Sequence, residues 1–154
     1  MESTVTLTID DQEVTVPAGT LLVEAAESVG IEIPTLCYHE KLIPLGGCRL
    51  CLVEIEKVRG LQPACTTRVR EGMVVHTDTP EVIKTRKGML EFLLINHPLD
   101  CPVCDKGGEC TLQDWAFKYG ATESRFIEEK RHGRKARAIN SLIVKDDERC
   151  ILCR

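Results

Sequence analysis

Cys37, Cys48, Cys51 and Cys65 make one group of four thiols, and His97, Cys101, Cys104 and Cys110 make a second group of three thiols and an imidazole. Donors gathered in fours suit iron–sulfur clusters, which are held by four protein ligands, and they also suit tetrahedral zinc. The first group has the spacing Cys-x10-Cys-x2-Cys-x13-Cys. Its Cys48-x2-Cys51 turn can hold one iron while the remote Cys37 and Cys65 close around another. Gly46 and Gly47 let the backbone approach and aim N–H groups at sulfur, which raises a cluster's potential. Structural zinc and inert buried thiols compete with this reading. Zinc sites usually carry two short Cys-x2–4-Cys knuckles, and this group has one.

The second group reads His-x3-Cys-x2-Cys-x5-Cys. Pro98 and Pro102 stiffen its loop, and Gly107-Gly108 permits a tight wrap before Cys110. Spacing alone leaves zinc and a [4Fe–4S] cluster both open here. A neutral imidazole in place of a thiolate makes such a cluster less negative, which on electrostatic grounds favours reduction. Cys150 and Cys153 are half of a further set, an incomplete site. His39, His76 and His132 have no cysteines in comparable company and read as ordinary residues.

The elements that must position these donors follow from periodicity. Val5, Leu7 and Ile9, then Val14 and Val16, alternate with polar residues and predict a hairpin turned by Asp10-Asp11. Thr20 is placed to cap a helix carrying Leu22, Ala25, Ala26 and Val29 on one stripe, with Gly30 as its stop. A long loop runs from Ile33 to Leu50. Cys51–Glu56 and Met73–His76 predict two more strands. Thr79-Pro80-Glu81 starts a second helix, with Val82, Met89 and Leu93 in one apolar row and Ile83, Leu90 and Leu94 in the next. Pro98 ends it by disfavouring a helical His97. Thr111 and Asp114 suggest a capping box for a third helix bearing Leu112, Trp115, Ala116 and Tyr119. Residues 121–149 read as a charged connector with one strand.

Bulk composition narrows the function classes. The chain has 154 residues, nine cysteines, 4% aromatics and a net charge of −4. So few aromatics imply a thin core, to which metal–ligand bonds would contribute folding free energy. Met1 to Val5 has no basic-then-apolar leader pattern. An odd cysteine count without that pattern argues for metal binding in a reducing compartment and against a disulfide framework. No apolar run approaches the roughly 20 residues of a membrane span. The net charge does not suggest a nucleic-acid partner. The basic segment Lys130–Arg137 reads as a solvated loop, with docking to an acidic surface as the alternative.

Together, Cys37…Cys48-Arg49-Leu50-Cys51…Cys65 and His97-Pro98-Leu99-Asp100-Cys101-Pro102-Val103-Cys104…Gly107-Gly108-Glu109-Cys110-Thr111-Leu112-Gln113-Asp114 closely resemble the large iron–sulfur subunit of NADH-quinone oxidoreductase, respiratory complex I. The resemblance covers essentially the whole chain. It implies an α+β architecture: a β-grasp, ferredoxin-like domain over residues 1–79, a small helical domain over 80–120, and a connector with the start of a truncated third cluster segment over 121–154. It implies one [2Fe–2S] cluster on Cys37, Cys48, Cys51 and Cys65 and one [4Fe–4S] cluster on His97, Cys101, Cys104 and Cys110, with no catalytic acid, base or nucleophile.

Electrons in that family enter from NADH through a flavin on a neighbouring subunit and pass toward quinone, with ion pumping coupled to the transfer. Without a G-x-G-x-x-G motif, this chain would receive electrons and not bind NADH. It would be part of an NADH dehydrogenase (quinone), cytoplasmic and peripheral on the inner face of the membrane. NAD-reducing and iron-only hydrogenases and NAD-dependent formate dehydrogenases carry related segments, and a zinc-bound interaction module is the competing class. Family members continue with further cysteines and a molybdopterin-oxidoreductase-like region after the position of Cys153. That departure predicts an N-terminal fragment or truncated product, with Cys150 and Cys153 vacant and completion by another chain as the alternative.

Overall fold

The computed structural model describes residues 3–120, 123–133 and 135–153, so Met1 and Glu2, Arg134 of the basic segment and Arg154 lie outside the described residues. The chain divides into two compact units between Arg86 and Lys87.

The first unit is a mixed sheet with one helix. Strands β1 (Thr4–Ile9) and β2 (Gln12–Pro17) form the expected hairpin, with Leu7 opposite Val14. The turn works because Asp10 and Asp11 both take positive φ, 44° and 66°, which Asp tolerates better than most residues. Helix α1 (Leu22–Ser28) follows, then β3 (Leu52–Ile55), β4 (Gln62–Pro63) and β5 (Val74–His76). The sheet order is β2-β1-β5-β3-β4; only β1 and β5 run parallel. Leu7, Ile9, Val14, Val16, Val53, Ile55 and Val75 form one buried cluster with Leu22, Val23, Ala25 and Ala26 of α1. Cys51 and Cys65 belong to the same cluster. Leu7 is 1% exposed, so Leu7→Ala should lower the unit's stability by about 2–5 kcal/mol through lost burial and a residual cavity. Urea unfolding followed by circular dichroism measures this, and an unchanged midpoint would contradict the packing described.

Thr20 does not cap α1. Its hydroxyl donates to Pro17 O, while the Glu24 carboxylate accepts from Leu21 N at 3.2 Å. The helix's open N–H groups go instead to the loop that carries Cys65: Leu22 N to Thr67 O at 2.8 Å and Val23 N to Ala64 O at 3.3 Å. Gly30, at φ 77°, closes the helix as expected.

Helix α2 (Pro80–Leu94) buries Val82 and Leu90, one from each expected apolar row, together with Arg86 at i+4 between them; Met89, Leu93 and Leu94 are half-buried, and only Ile83 of the two rows is exposed. Arg86, 2% exposed, donates from Nη2 to Leu52 O at 3.2 Å.

The second unit holds a 3₁₀ turn at Cys101–Val103, helix α3 (Thr111–Lys118), and a short hairpin of β6 (Arg137–Ala138) and β7 (Val144–Lys145). Leu112, Trp115 and Ala116 are the buried face of α3. Cys110 is its N-cap, without a side-chain cap, so the Thr111–Asp114 capping box is not formed. The segment expected as a connector with one strand has two, turned by Asn140, whose Oδ1 accepts from Leu142 N and Ile143 N, each at 2.8 Å.

The described residues of the basic segment form the exposed loop that the sequence predicts, and several of them are tied down by side-chain contacts. Lys130 Nζ caps the end of α2, at 2.6 Å from Leu94 O and 3.0 Å from Ile95 O. Arg131 N donates to Asn96 Oδ1 at 3.0 Å, and Lys135 pairs with Asp100 at 2.9 Å and Glu148 at 2.6 Å. These contacts strap the chain on either side of His97.

Candidate metal centres

In the first unit the four thiols come together as two close pairs, Cys37 with Cys48 and Cys51 with Cys65. Cys48 N donates to Cys37 Sγ at 3.3 Å, and the two side chains hydrogen-bond. Cys65 hydrogen-bonds to Cys51, and the charges of Cys51, Cys37 and Cys48 all act on Cys65, so the pairs share one locality. This differs from the expected division, in which the Cys48-x2-Cys51 turn acted as the pair. Arg49, at φ 57°, takes a left-handed step between them. The partner of Cys51 is fixed by Ala64 N donating to Cys51 O at 3.0 Å, and α1 holds the same loop through Ala64 O and Thr67 O.

The site is lopsided. Cys51 and Cys65 are each 1% exposed, whereas Cys37 and Cys48 are half-buried on the solvent side. Amides converge on the sulfurs: those of Leu50, Cys37 and Leu36 on Cys48, and those of Cys65 and Ala64 on Cys51. Gly46 also matters sterically, since a Cβ there would lie 3.0 Å from Thr66 Cγ2 and its φ is 65°. Tyr38, next to Cys37, anchors the long loop to α1 by donating to Glu24 Oε1 at 2.8 Å. Burial and the Glu24 bond push the Tyr38 phenol above its usual pKa.

The thiols are poised unequally. The hydrogen bond from Cys65 lowers Cys51 to about 7, against the effect of burial, while that shared bond and burial push Cys65 well above the thiol range. Burial also raises Cys48. Cys51 is therefore the first of the buried pair to ionise, and loading metal must displace the proton that Cys65 retains.

In the second unit, one small cavity is lined by His97, Cys101, Cys104 and Cys110 together. The loop winds through successive turns, with Val103 N to Asp100 O at 2.9 Å, Cys104 N to Cys101 O at 3.3 Å and Gly107 N to Cys104 O at 2.8 Å. Gly107 is sterically required, because a Cβ there would lie 2.6 Å from Cys101 O and 3.0 Å from Cys104 O. Burial, and then the nearby Lys130 charge, hold His97 below the usual imidazole pKa, so near neutral pH its ring is uncharged and able to donate a lone pair. Cys150 and Cys153 sit in a turn of their own, where Leu152 N donates to Cys150 Sγ at 3.4 Å.

Among the described residues, no three His, Cys, Asp or Glu side chains close tightly enough to hold a single metal ion. The donor chemistry suits a wider guest. Two thiol pairs ringed by amides can hold a binuclear cluster, and three thiols with a neutral imidazole around one cavity can hold a tetranuclear one.

Comparison with known proteins decides the lineage. Residues 2–80 match the family model of the 2Fe-2S iron-sulfur cluster binding domain, which is more than half of the chain. The chain belongs to this family. Residues 86–125 of this 2Fe-2S family member match a second model, the NADH-ubiquinone oxidoreductase-G iron-sulfur binding region, so the two iron–sulfur regions follow in the expected order. The second G-type subunit of the NADH-quinone oxidoreductase of Rhizobium meliloti (strain 1021) is 54% identical over 149 residues, 96% of this chain and 17% of the relative. The G-type subunit of the same enzyme from Streptomyces coelicolor (strain ATCC BAA-471 / A3(2) / M145) is 51% identical over 154 residues, 99% of this chain and 18% of the relative. The chain thus spans about a fifth of the length of such relatives and is homologous to their iron–sulfur region. A crystal structure of NAD+-reducing [NiFe]-hydrogenase in the H2-reduced state superposes with a TM-score of 0.88 at 32% identity, over 98% of this chain and 63% of that one.

Proposed function

We propose that this chain is an electron-carrying iron–sulfur segment of an NADH-quinone oxidoreductase. In this reading Cys37, Cys48, Cys51 and Cys65 hold a [2Fe–2S] cluster in a β-grasp domain, and His97, Cys101, Cys104 and Cys110 hold a [4Fe–4S] cluster. The observation that carries it is the convergence of eight separated donors into two distinct groups, within a chain homologous to the G-type subunits of that enzyme. Bound there, the clusters would take up and pass on single electrons.

The residues of the chain do the rest. Amides around Cys48 and Cys51 stabilise anionic sulfur, burial of Cys51 and Cys65 excludes water, and the half-buried Cys37 and Cys48 present the side open to exchange. The donor would be a flavin-bearing, NADH-oxidising subunit and the destination quinone. The complex would place this chain at the inner, cytoplasmic face of a membrane. No helix among the described residues is long and apolar enough to cross one.

A second reading, the matching segment of an NAD+-reducing hydrogenase, is favoured by the fold likeness, but identity of 54% against 32% weighs for the first. Anaerobically reconstituted protein should be brown and contain about six irons and about six acid-labile sulfides per chain. A colourless protein with about two zinc ions would replace this reading with a structural zinc module.

A further inference from the structure

Arg149 lies outside both groups of donors in sequence, yet it lines the same small cavity as His97, Cys101, Cys104 and Cys110. Its guanidinium is held there: Nη2 is 3.5 Å from Asp100 Oδ2, Nε is 3.4 Å from Asp146 Oδ2, and the side chain is one-quarter exposed. Asp100 is itself fixed by Lys135 at 2.9 Å. The result is a fixed cation facing donors that would carry three negative charges once metallated.

We propose that Arg149 sets the reduction potential of the tetranuclear site, stabilising its reduced form by direct Coulomb attraction. The inference rests on the [4Fe–4S] reading above. Reduction by one electron adds one negative charge to the site and requires no proton, with dithionite as the electron donor in the test. The attraction between Arg149 and the site grows by that one charge, screened in part by solvent. The bland alternative is a strut: Arg149 could serve only to fasten the strap to Asp100.

Redox titration of the reconstituted 154-residue chain, followed by low-temperature EPR, separates the two. Arg149→Gln should lower the midpoint of the tetranuclear signal and leave the binuclear midpoint unmoved. Arg149→Lys, which keeps the charge, should recover most of the shift. An assembled Arg149→Gln protein with an unchanged tetranuclear midpoint would overturn the inference. Equal loss of the tetranuclear cluster in both variants would also overturn it, by assigning the strut role. Unmodified protein with no tetranuclear signal at all would instead sink the ligand reading on which the inference rests.

Discussion

Cys48→Ser should remove the binuclear EPR signal and drop the iron content from about six to about four per chain, while His97→Ala should remove the tetranuclear signal and leave about two. The expectation of independence follows from where the donors lie. Among the described residues, the partners of Cys48 (Cys37, Leu50, Leu36) belong to the first unit, whereas those that line the cavity with His97 belong to the second. Cys48 sits in the half-buried pair, so its loss leaves the core around Cys51 and Cys65 intact. His97 leaves a strapped loop that Lys130, Arg131 and Lys135 still hold. Each variant should therefore fold and lose one signal. Loss of both signals together in either variant would argue against two separate sites.

Gly107→Ala makes a comparably large change through shape alone. The added methyl would meet two backbone carbonyls, those of Cys101 and Cys104, at 2.6 and 3.0 Å. Neither is the far end of a flexible side chain, so the turn that sets the spacing of these two cysteines must open. Overpacking of this kind costs about 1–3 kcal/mol. Here the cost falls on the loop that must assemble the site. The tetranuclear signal should be largely lost, with iron falling toward about two per chain and the binuclear signal retained. Gly108→Ala is the contrast: its φ of 86° strains the backbone, but nothing lies within 4 Å of the added Cβ, so a smaller loss is expected. Full iron content in Gly107→Ala would show that the carbonyl cradle does not matter.

The candidate donors can be named from the sequence because ligation demands particular residue types at short spacing, and local signals of that kind survive in a linear sequence. The Leu7–Val14 hairpin and the buried stripe of α1 were legible for the same reason: a period of two or 3.6 is written locally. Other features depended on residues far apart in the chain. Which thiols pair was decided by Ala64 and Thr67 docking on α1, which brings Cys65 to Cys51 from a distant segment. The capping of α1 failed at Thr20 for the same cause, since its open amides found long-range carbonyls.

Arg86 and the ties of the basic segment leave no mark in the apolar pattern, because a charged side chain shows its role only through the distant groups it meets. Leu52 O, the carbonyls at the end of α2 and Asp100 are such distant partners. The sequence by itself determined the two groups of candidate donors and the local elements beside them. Tertiary structure decided the pairing, the burial and the charges that face each set, because those depend on which remote segments close the loops.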